Sequence, residues 1–226
     1  EASHEDRERW KEAINRANSM KTEGEVKPIS DRGITRDTCE FYNVTQTGQK
    51  HIYPYADESG AYTAAKVRTV ANKSFSVEGQ WGQATLFGQS LFHKGGKYVT
   101  IVEGELDALA AFQMLGSKWP VVSVRNGAQA ALKDCKANFE WLDSFESVVI
   151  CFDADEPGKK AAKEVAELLG SKAKVVKHIN QCKDACDYLK SGETPAFVKA
   201  WWAADEYRPA GIVTISDIKE RLWTPP

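Results

Sequence analysis

The chain is predicted to be an α/β protein, an open parallel sheet flanked by helices with a smaller N-terminal α+β subdomain. Three observations carry this expectation. Four apolar, β-branched runs occupy residues 98–102, 121–124, 148–152 and 175–179. Helix-forming stretches at 106–115, 128–139 and 158–169 lie between them. Residues 21–95 differ in texture, with short β-like runs separated by Gly, Asn, Asp and Ser. Continuous apolar runs suit strands buried on both faces, as in a parallel sheet covered by helices. Strict alternation of strand and helix implies crossover units in one open sheet.

From the N-terminus, Trp10, Ala13, Ile14 and Ala17 recur at helical spacing and predict a short amphipathic helix within residues 1–20. A turn at 29–35 leads into a helix at 35–42, with Thr35 as its N-cap and Thr38 in its first turn. Residues 49–55 and 62–67 read as strands of the small subdomain. Beyond the fourth apolar run, Asp184 is placed to cap a helix at 185–189. An aromatic-rich segment with Phe197, Trp201 and Trp202 follows, then a terminal amphipathic piece at 215–222 capped by Ser216. The expected division is an N-terminal subdomain at 1–96, the α/β domain at 97–190 and a C-terminal helical segment at 191–226.

Composition narrows the function classes. A chain of 226 residues suits one medium domain or two small ones. At 42% hydrophobic and 27% charged it has an ordinary soluble globular make-up. No apolar run approaches the roughly 18 residues of a transmembrane helix, so no membrane partner is expected. The opening EASHEDRERWKEAI is charged throughout, unlike a signal peptide. It lacks an initial Met, which suggests a fragment of a longer protein. A net charge of -2 argues against a non-specific DNA coat but not against a polymerase, because a bound metal adds positive charge outside the count. Five scattered cysteines suggest reduced thiols in a cytoplasmic compartment. Cys182 and Cys186, with His178 nearby, fall short of a zinc ligand set and read as ordinary thiols.

The sharpest feature is where the acids sit. Run 98–102 leads directly into Glu103-Gly104-Glu105, and run 148–152 into Asp153-Ala154-Asp155. Both groups therefore fall at the carboxyl ends of parallel strands, the edge where open α/β sheets bind ligands. Carboxylates converging there repel one another unless a cation neutralises them, and hard oxygen ligands select Mg²⁺ or Mn²⁺. Side chains two apart in an extended chain point the same way, so Asp153 and Asp155 can address one metal. Gly104 permits a tight turn and close approach of a phosphate. Gly158 opens the helix after Asp155, with Pro157 beside it, and offers free N–H groups to a phosphate. Either acid motif alone reads equally as a helix cap or a solvated turn; two motifs at the ends of two strands favour a metal site for phosphoryl transfer. Asp184 is a further candidate ligand as well as a candidate cap. Lys66 and Arg68 sit two apart in a β-like run, which by spacing alone is a solvated strand face. Lys159, Lys160 and the basic turn His93, Lys94 and Lys97 read first as surface, and Trp81, Trp201 and Trp202 as core or subdomain contacts.

At these residues the sequence resembles the toprim family, whose signature is Glu-Gly after a strand and then Asp-x-Asp-x-x-Gly, here Glu103-Gly104 and Asp153 to Gly158. The flanks IVEGELDALAAFQML, VVICFDADEPGKKAAKEVAELL and QCKDACDYL, with the upstream Lys66-Val67-Arg68 and Asn72-Lys73-Ser74-Phe75, look like the primase half of the phage bifunctional primase–helicases of the T-seven type. The likeness runs from about Ser30 to Leu222, and Twinkle-type mitochondrial helicases share the layout more distantly. The resemblance implies a toprim (Rossmann-like) fold and a DNA primase core that makes short RNA primers on a single-stranded DNA template.

By matching position, Glu103, Asp153 and Asp155 would bind Mg²⁺ or Mn²⁺, with Asp184 completing the acid set. Glu103 would either bind metal directly or act as a base. Lys66, Arg68 and, across a one-residue gap, Lys73 would contact ribonucleoside triphosphate and product phosphates, beside Gly104 and Gly158. His93, Lys94 and Lys97 would be candidates for touching DNA. The implied partners are a zinc-binding domain, a hexameric helicase domain and a replicative DNA polymerase, in the cytoplasm of a host if phage-encoded. The alternatives are a toprim-type Mg²⁺-dependent nuclease and a non-catalytic module that binds single-stranded DNA or docks a helicase. The sequence departs from the family by lacking its four-cysteine zinc domain and its P-loop, and by carrying Arg125 where the family has Gly. Glu105 matches no required position and reads as the start of the next helix.

Overall fold

The computed structural model describes residues 23–208, so the helices expected within 1–20 and at 215–222 lie outside the described residues. The first half forms a four-stranded antiparallel sheet of β1 (Thr45–Thr47), β2 (Lys50–Ala56), β3 (Tyr62–Thr69) and β4 (Ser74–Gly79) in sequential order. It is preceded by α1 (Arg36–Phe41), whose N-cap Thr35 accepts the Thr38 N–H at 3.3 Å as its sequence position implied. The spacing of apolar residues did not reveal β1 or β4. The first has three residues, and all six residues of the second are exposed, so neither shows an alternating buried face.

The second half forms a five-stranded sheet in the order β6-β5-β7-β8-β9. Its strands are β5 (Gly96–Val102), β6 (Val121–Ser123), β7 (Phe145–Cys151), β8 (Ala173–Val175) and β9 (Asp205–Glu206). The first four pair in parallel and β9 closes one edge antiparallel. The intervening helices are α2 (Glu105–Met114), α3 (Ala128–Ala137), α4 (Phe139–Asp143), α5 (Glu156–Leu169), α6 (Ala185–Lys190) and α7 (Thr194–Trp202). Helix α2 packs on α6 and α7, and α3 packs on α5, so the buried halves of the central β5–β7 pair, residues 99–102 and 148–151, are covered, as the continuous runs required.

Three boundaries differ from expectation. The fourth strand lies at 173–175 rather than 175–179. Val176 still donates to the Ile150 carbonyl at 2.9 Å, but Asn180 and Gln181 then take positive φ values of 57° and 60° and turn the chain off the sheet. The helix expected at 128–139 breaks at Asn138, whose amide nitrogen donates to the Asp134 carbonyl at 2.9 Å and whose own carbonyl starts α4. Helix α5 begins at Glu156, two residues before Gly158, because Asp155 is its N-cap and Pro157 stands in the first turn, where a missing N–H costs nothing.

The two sheets share one core. Phe41 of α1 stacks on Phe112 of α2 with ring centroids 4.6 Å apart, and the Tyr42 hydroxyl donates to the Val121 carbonyl of β6 at 2.8 Å. Phe87 forms a bridge with Ser123, attaching the connecting segment to the edge of the parallel sheet. Tyr55 and Lys66 of the antiparallel sheet thereby reach Glu105 and the Arg125 carbonyl, which follow the carboxyl ends of β5 and β6. All five cysteines are buried and free. No helix among the described residues is long and apolar enough to cross a membrane.

Candidate active site

Glu103 directly follows β5 and Asp153 comes two residues after β7, and the β5–β7 pairing, which ends at Val102 opposite Cys151, brings them close. The Asp153 N–H donates to Glu103 Oε1 at 2.9 Å. Asp155 Oδ1 accepts the Gly158 N–H at 2.8 Å, which spends one carboxylate oxygen on capping α5 and leaves the other available. Asp184 does the same for α6, accepting the Asp187 N–H at 2.7 Å, so its capping and site roles coexist. The Ala154 N–H donates to the Lys183 carbonyl at 2.8 Å and ties the loop after β7 to the segment before α6.

Asp107 joins this cluster. Its Oδ1 accepts the Cys186 N–H at 3.0 Å, and one ligand atom each from Asp107, Asp184 and Cys186 lie within 4.8 Å of one another. Asp107 was not singled out in the sequence, because an acid in the first turn of α2 reads as an ordinary helix start.

Burial and mutual repulsion show in the titration of these acids. Burial, then the negative charge of Glu103, Asp107, Asp184 and Asp155, pushes the Asp153 carboxyl up to about 8. Glu103 is raised by burial and by Asp155, against the lowering effect of the Asp153 N–H. Asp107 and Asp184 are raised too, chiefly by burial. A set of carboxylates held together at this cost to their ionisation fits a hard divalent cation bound through oxygen. Cys186 fits that role poorly, since burial pushes its thiol far up and keeps it protonated.

Glycines shape the floor. A Cβ on Gly158 would lie 2.3 Å from the Asp153 carbonyl oxygen and 2.6 Å from Glu103 Oε1, so this position must stay bare for the two acids to approach. Gly104 caps α2 in an ordinary extended conformation with φ -128°, so the tight turn expected there is not formed. The space it leaves faces Asp107, whose Oδ2 would be 3.1 Å from a Cβ.

The antiparallel sheet supplies the basic side. Lys66 Nζ lies 2.8 Å from Glu105 Oε1 and 2.8 Å from the Arg125 carbonyl oxygen. Tyr55 donates its hydroxyl to the same Glu105 oxygen. Glu105 is therefore more than a helix-starting residue: only 4% exposed, it anchors the sheet to the site. Nothing around Glu105 in the chain signals this, because its lysine is 39 residues away. Arg68, 9% exposed, lies beside Tyr53 and His51, and its Nε has no hydrogen-bond partner. Lys66 and Arg68 share one face, as their spacing implied, but the face is turned inward rather than solvated.

Arg125 has a structural task at this point. Its backbone N–H donates to Asp134 Oδ2 at 2.8 Å, while Nε and Nη2 reach Asp134 Oδ1 at 3.0 and 2.7 Å. Nη1 donates to the Ala84 carbonyl at 2.9 Å. The loop that presents its carbonyl to Lys66 is thus clamped by a buried acid.

Other candidates fall elsewhere. Lys73 is exposed in the turn between β3 and β4, with φ 55°. His93, Lys94 and Lys97 are exposed around the start of β5, whose seven residues put on the order of 20 Å between them and Glu103. Lys159 and Lys160 are exposed and pair with Glu156 at 2.9 Å and Glu164 at 3.9 Å, an ordinary solvated helix face. Trp201 is buried with Nε1 donating to Thr100 Oγ1 at 2.9 Å, and Trp81 packs edge-on against Tyr55.

Comparison with known proteins identifies relatives of the chain. Residues 100–189 match the family described as Toprim-like. Over 203 residues the chain is 34% identical to a DNA helicase/primase of Enterobacteria phage T3, covering 88% of this chain and 35% of that protein. The crystal structure of the primase fragment of the bacteriophage T7 primase-helicase superposes with a TM-score of 0.72 at 33% identity, covering 80% of this chain and 76% of that fragment. The chain belongs to the primase family of phage primase–helicases. A second T7 structure, in which primase domains bind an RNA/DNA hybrid beside the lagging-strand DNA polymerase, superposes with a TM-score of 0.73 at 33% identity, covering 81% of this chain and 94% of that one. The chain spans about a third of the length of the curated T3 relative. In this chain the Toprim-like segment contains Glu103, Asp107, Asp153, Asp155 and Asp184, whereas Lys66 and Arg68 come from the sheet that precedes it.

Proposed function

We propose that the chain is the catalytic core of a DNA primase, a DNA-directed RNA polymerase that synthesises short RNA primers on single-stranded DNA by Mg²⁺-dependent nucleotidyl transfer. What supports this is a cluster of five carboxylates at the strand ends together with Lys66, which reaches in from the antiparallel sheet to Glu105. Polymerisation needs both, because an incoming triphosphate brings several negative charges that must be held while an α-phosphate is attacked.

When bound, Mg²⁺ (or Mn²⁺) lowers the pKa of a 3′-hydroxyl and stabilises the pyrophosphate leaving group. Asp153 and Asp155 with Glu103 would hold it, and Asp184 and Asp107 complete the negative rim. Lys66 steadies the triphosphate from the opposite wall, and Glu105, Tyr55 and the Arg125 carbonyl fix its ammonium in place. The remainder is positioning and charge stabilisation, so no side-chain nucleophile is required. The single-stranded template, an RNA product, a zinc-binding domain, a hexameric helicase and a replicative polymerase are the partners that this assignment brings. The T7 primase domains seen with an RNA/DNA hybrid and a polymerase support the hybrid and polymerase among them.

The test is extension of a short primer on a single-stranded DNA template with labelled ribonucleotides and Mg²⁺ or Mn²⁺. Labelled, template-dependent product that disappears with chelator is expected. Absence of product beside a working control polymerase, or cleavage of the template instead, would overturn the assignment, the latter in favour of a nuclease.

A further inference from the structure

The face of β4 that carries Phe75 and Val77 is unaccounted for by the acid site. In the β3–β4 ladder Phe75 stands opposite Arg68 and Val77 opposite Lys66. Side chains alternate along a strand, so Ala64, Lys66 and Arg68 share one face with Phe75, Val77 and Gly79. This face holds two cations, two apolar side chains and no acid; Glu78 falls on the other. It is also the face turned to the active site, because Lys66 reaches Glu105 from it. Phe75 is 55% exposed and Val77 50% exposed, on a strand that forms the edge of the sheet among the described residues. Lys66 Nζ lies 5.0 Å from the centroid of the Phe75 ring, so an aromatic plane and a phosphate-binding cation stand side by side. Isolated exposed apolar residues need no explanation, but two in register on the one acid-free face beside a catalytic cleft do.

We propose that this face is a nucleobase ledge: Phe75, with Val77 beside it, stacks a base while the adjoining phosphate is held at Lys66. The ligand chemistry matches in both parts. A nucleotide couples a flat π-face to an anion, and aromatic platforms flanked by basic groups bind such units without reading sequence. The base could belong to a polynucleotide strand or to an incoming ribonucleotide, which share this chemistry.

The proposal rests on the primase assignment, and the experiment separates the two. Binding of a fluorescent oligodeoxythymidylate is measured in an Asp155→Asn background, where no chemistry is needed, and the KM for ribonucleotide is measured in otherwise unsubstituted protein at saturating template. Phe75→Ala is expected to weaken one of them about tenfold, from the roughly 1–3 kcal/mol that base–aromatic stacking contributes. A loss in oligonucleotide binding assigns the ledge to the strand, and a loss in KM assigns it to the incoming nucleotide. Phe75→Tyr should restore the affinity, and Phe75→Leu should not, because greasiness without a π-face is insufficient. Phe75 is exposed, so thermal midpoints should match throughout. Unchanged binding and unchanged KM for Phe75→Ala, or full function with Phe75→Leu, would overturn the ledge. Absence of extension by the unsubstituted protein would instead strike the primase assignment.

Discussion

At the scale of single residues, Asp155 does two jobs that can be separated. Its Oδ1 caps α5 and the rest of the carboxylate faces the site. Asp155→Asn keeps the capping oxygen and loses the charge, so it should cut primer extension by about 100-fold or more with little change in thermal midpoint. Asp155→Ala should abolish extension equally and also cost about 1 kcal/mol of stability, read by urea titration; equal extension by either variant would remove Asp155 from the site. Asp153 gives a pH signature. Its folded-state value near 8 lies above the ordinary 3.8, so the metal-free folded protein retains a proton that the unfolded chain releases. That contribution to stability is present below about pH 4 and is lost as pH rises through about 8. A divalent cation favours the ionised form, so the rise in thermal midpoint on adding Mg²⁺ should grow from about pH 6 to about pH 8.5 and flatten in Asp153→Asn. Glu103 and the Asp153–Asp155 pair stood out in the sequence because they directly follow apolar runs, and Asp184 because it precedes a helix. Glu105 was not, because its meaning depends on a lysine brought from another sheet.

At the scale of elements, periodicity read the buried strands well and the exposed ones poorly. The last four residues of β5 and of β7 are buried and announce themselves, whereas β4 has no buried residue and exists only through its pairing with β3. The end of β8 was overrun because Val176 remains bonded to Ile150 although the strand has ended, and an apolar run does not record where a ladder stops. Asn138 divided a helix whose composition continues through it. The start of α5 was set by a cap rather than by hydrophobic spacing, and its third residue is the tightest point of the site. Gly158→Ala should therefore behave as a packing lesion in a catalytic place, with overpacking of about 1–3 kcal/mol and loss of extension together. Calorimetry and the extension assay check it, and a stable, active Gly158→Ala would mean that the loop after β7 yields more readily than its contacts indicate.

At the scale of the whole molecule, the antiparallel and parallel sheets are joined by the aromatic contacts of Phe41, Tyr42, Phe87 and Phe112 and by the Lys66–Glu105 pair. The sequence suggested two textures and a boundary between them, but texture does not show that one core runs through both. A shared core should unfold as a unit, so far-UV and near-UV circular dichroism should give coincident urea transitions. Two separated transitions would show that the sheets hold themselves up independently. The cysteines then acquire a use. They are dispersed, with Cys39 in α1, Cys135 in α3, Cys151 closing β7, and Cys182 and Cys186 around α6. Burial raises the Cys39 thiol to about 11 and that of Cys135 to about 12. Alkylating reagents attack thiolates, so the native chain should resist them at every position. Under a brief pulse that outruns reclosing, each molecule should carry either no adduct or five, making mass spectrometry a direct tally of how often the entire chain comes apart.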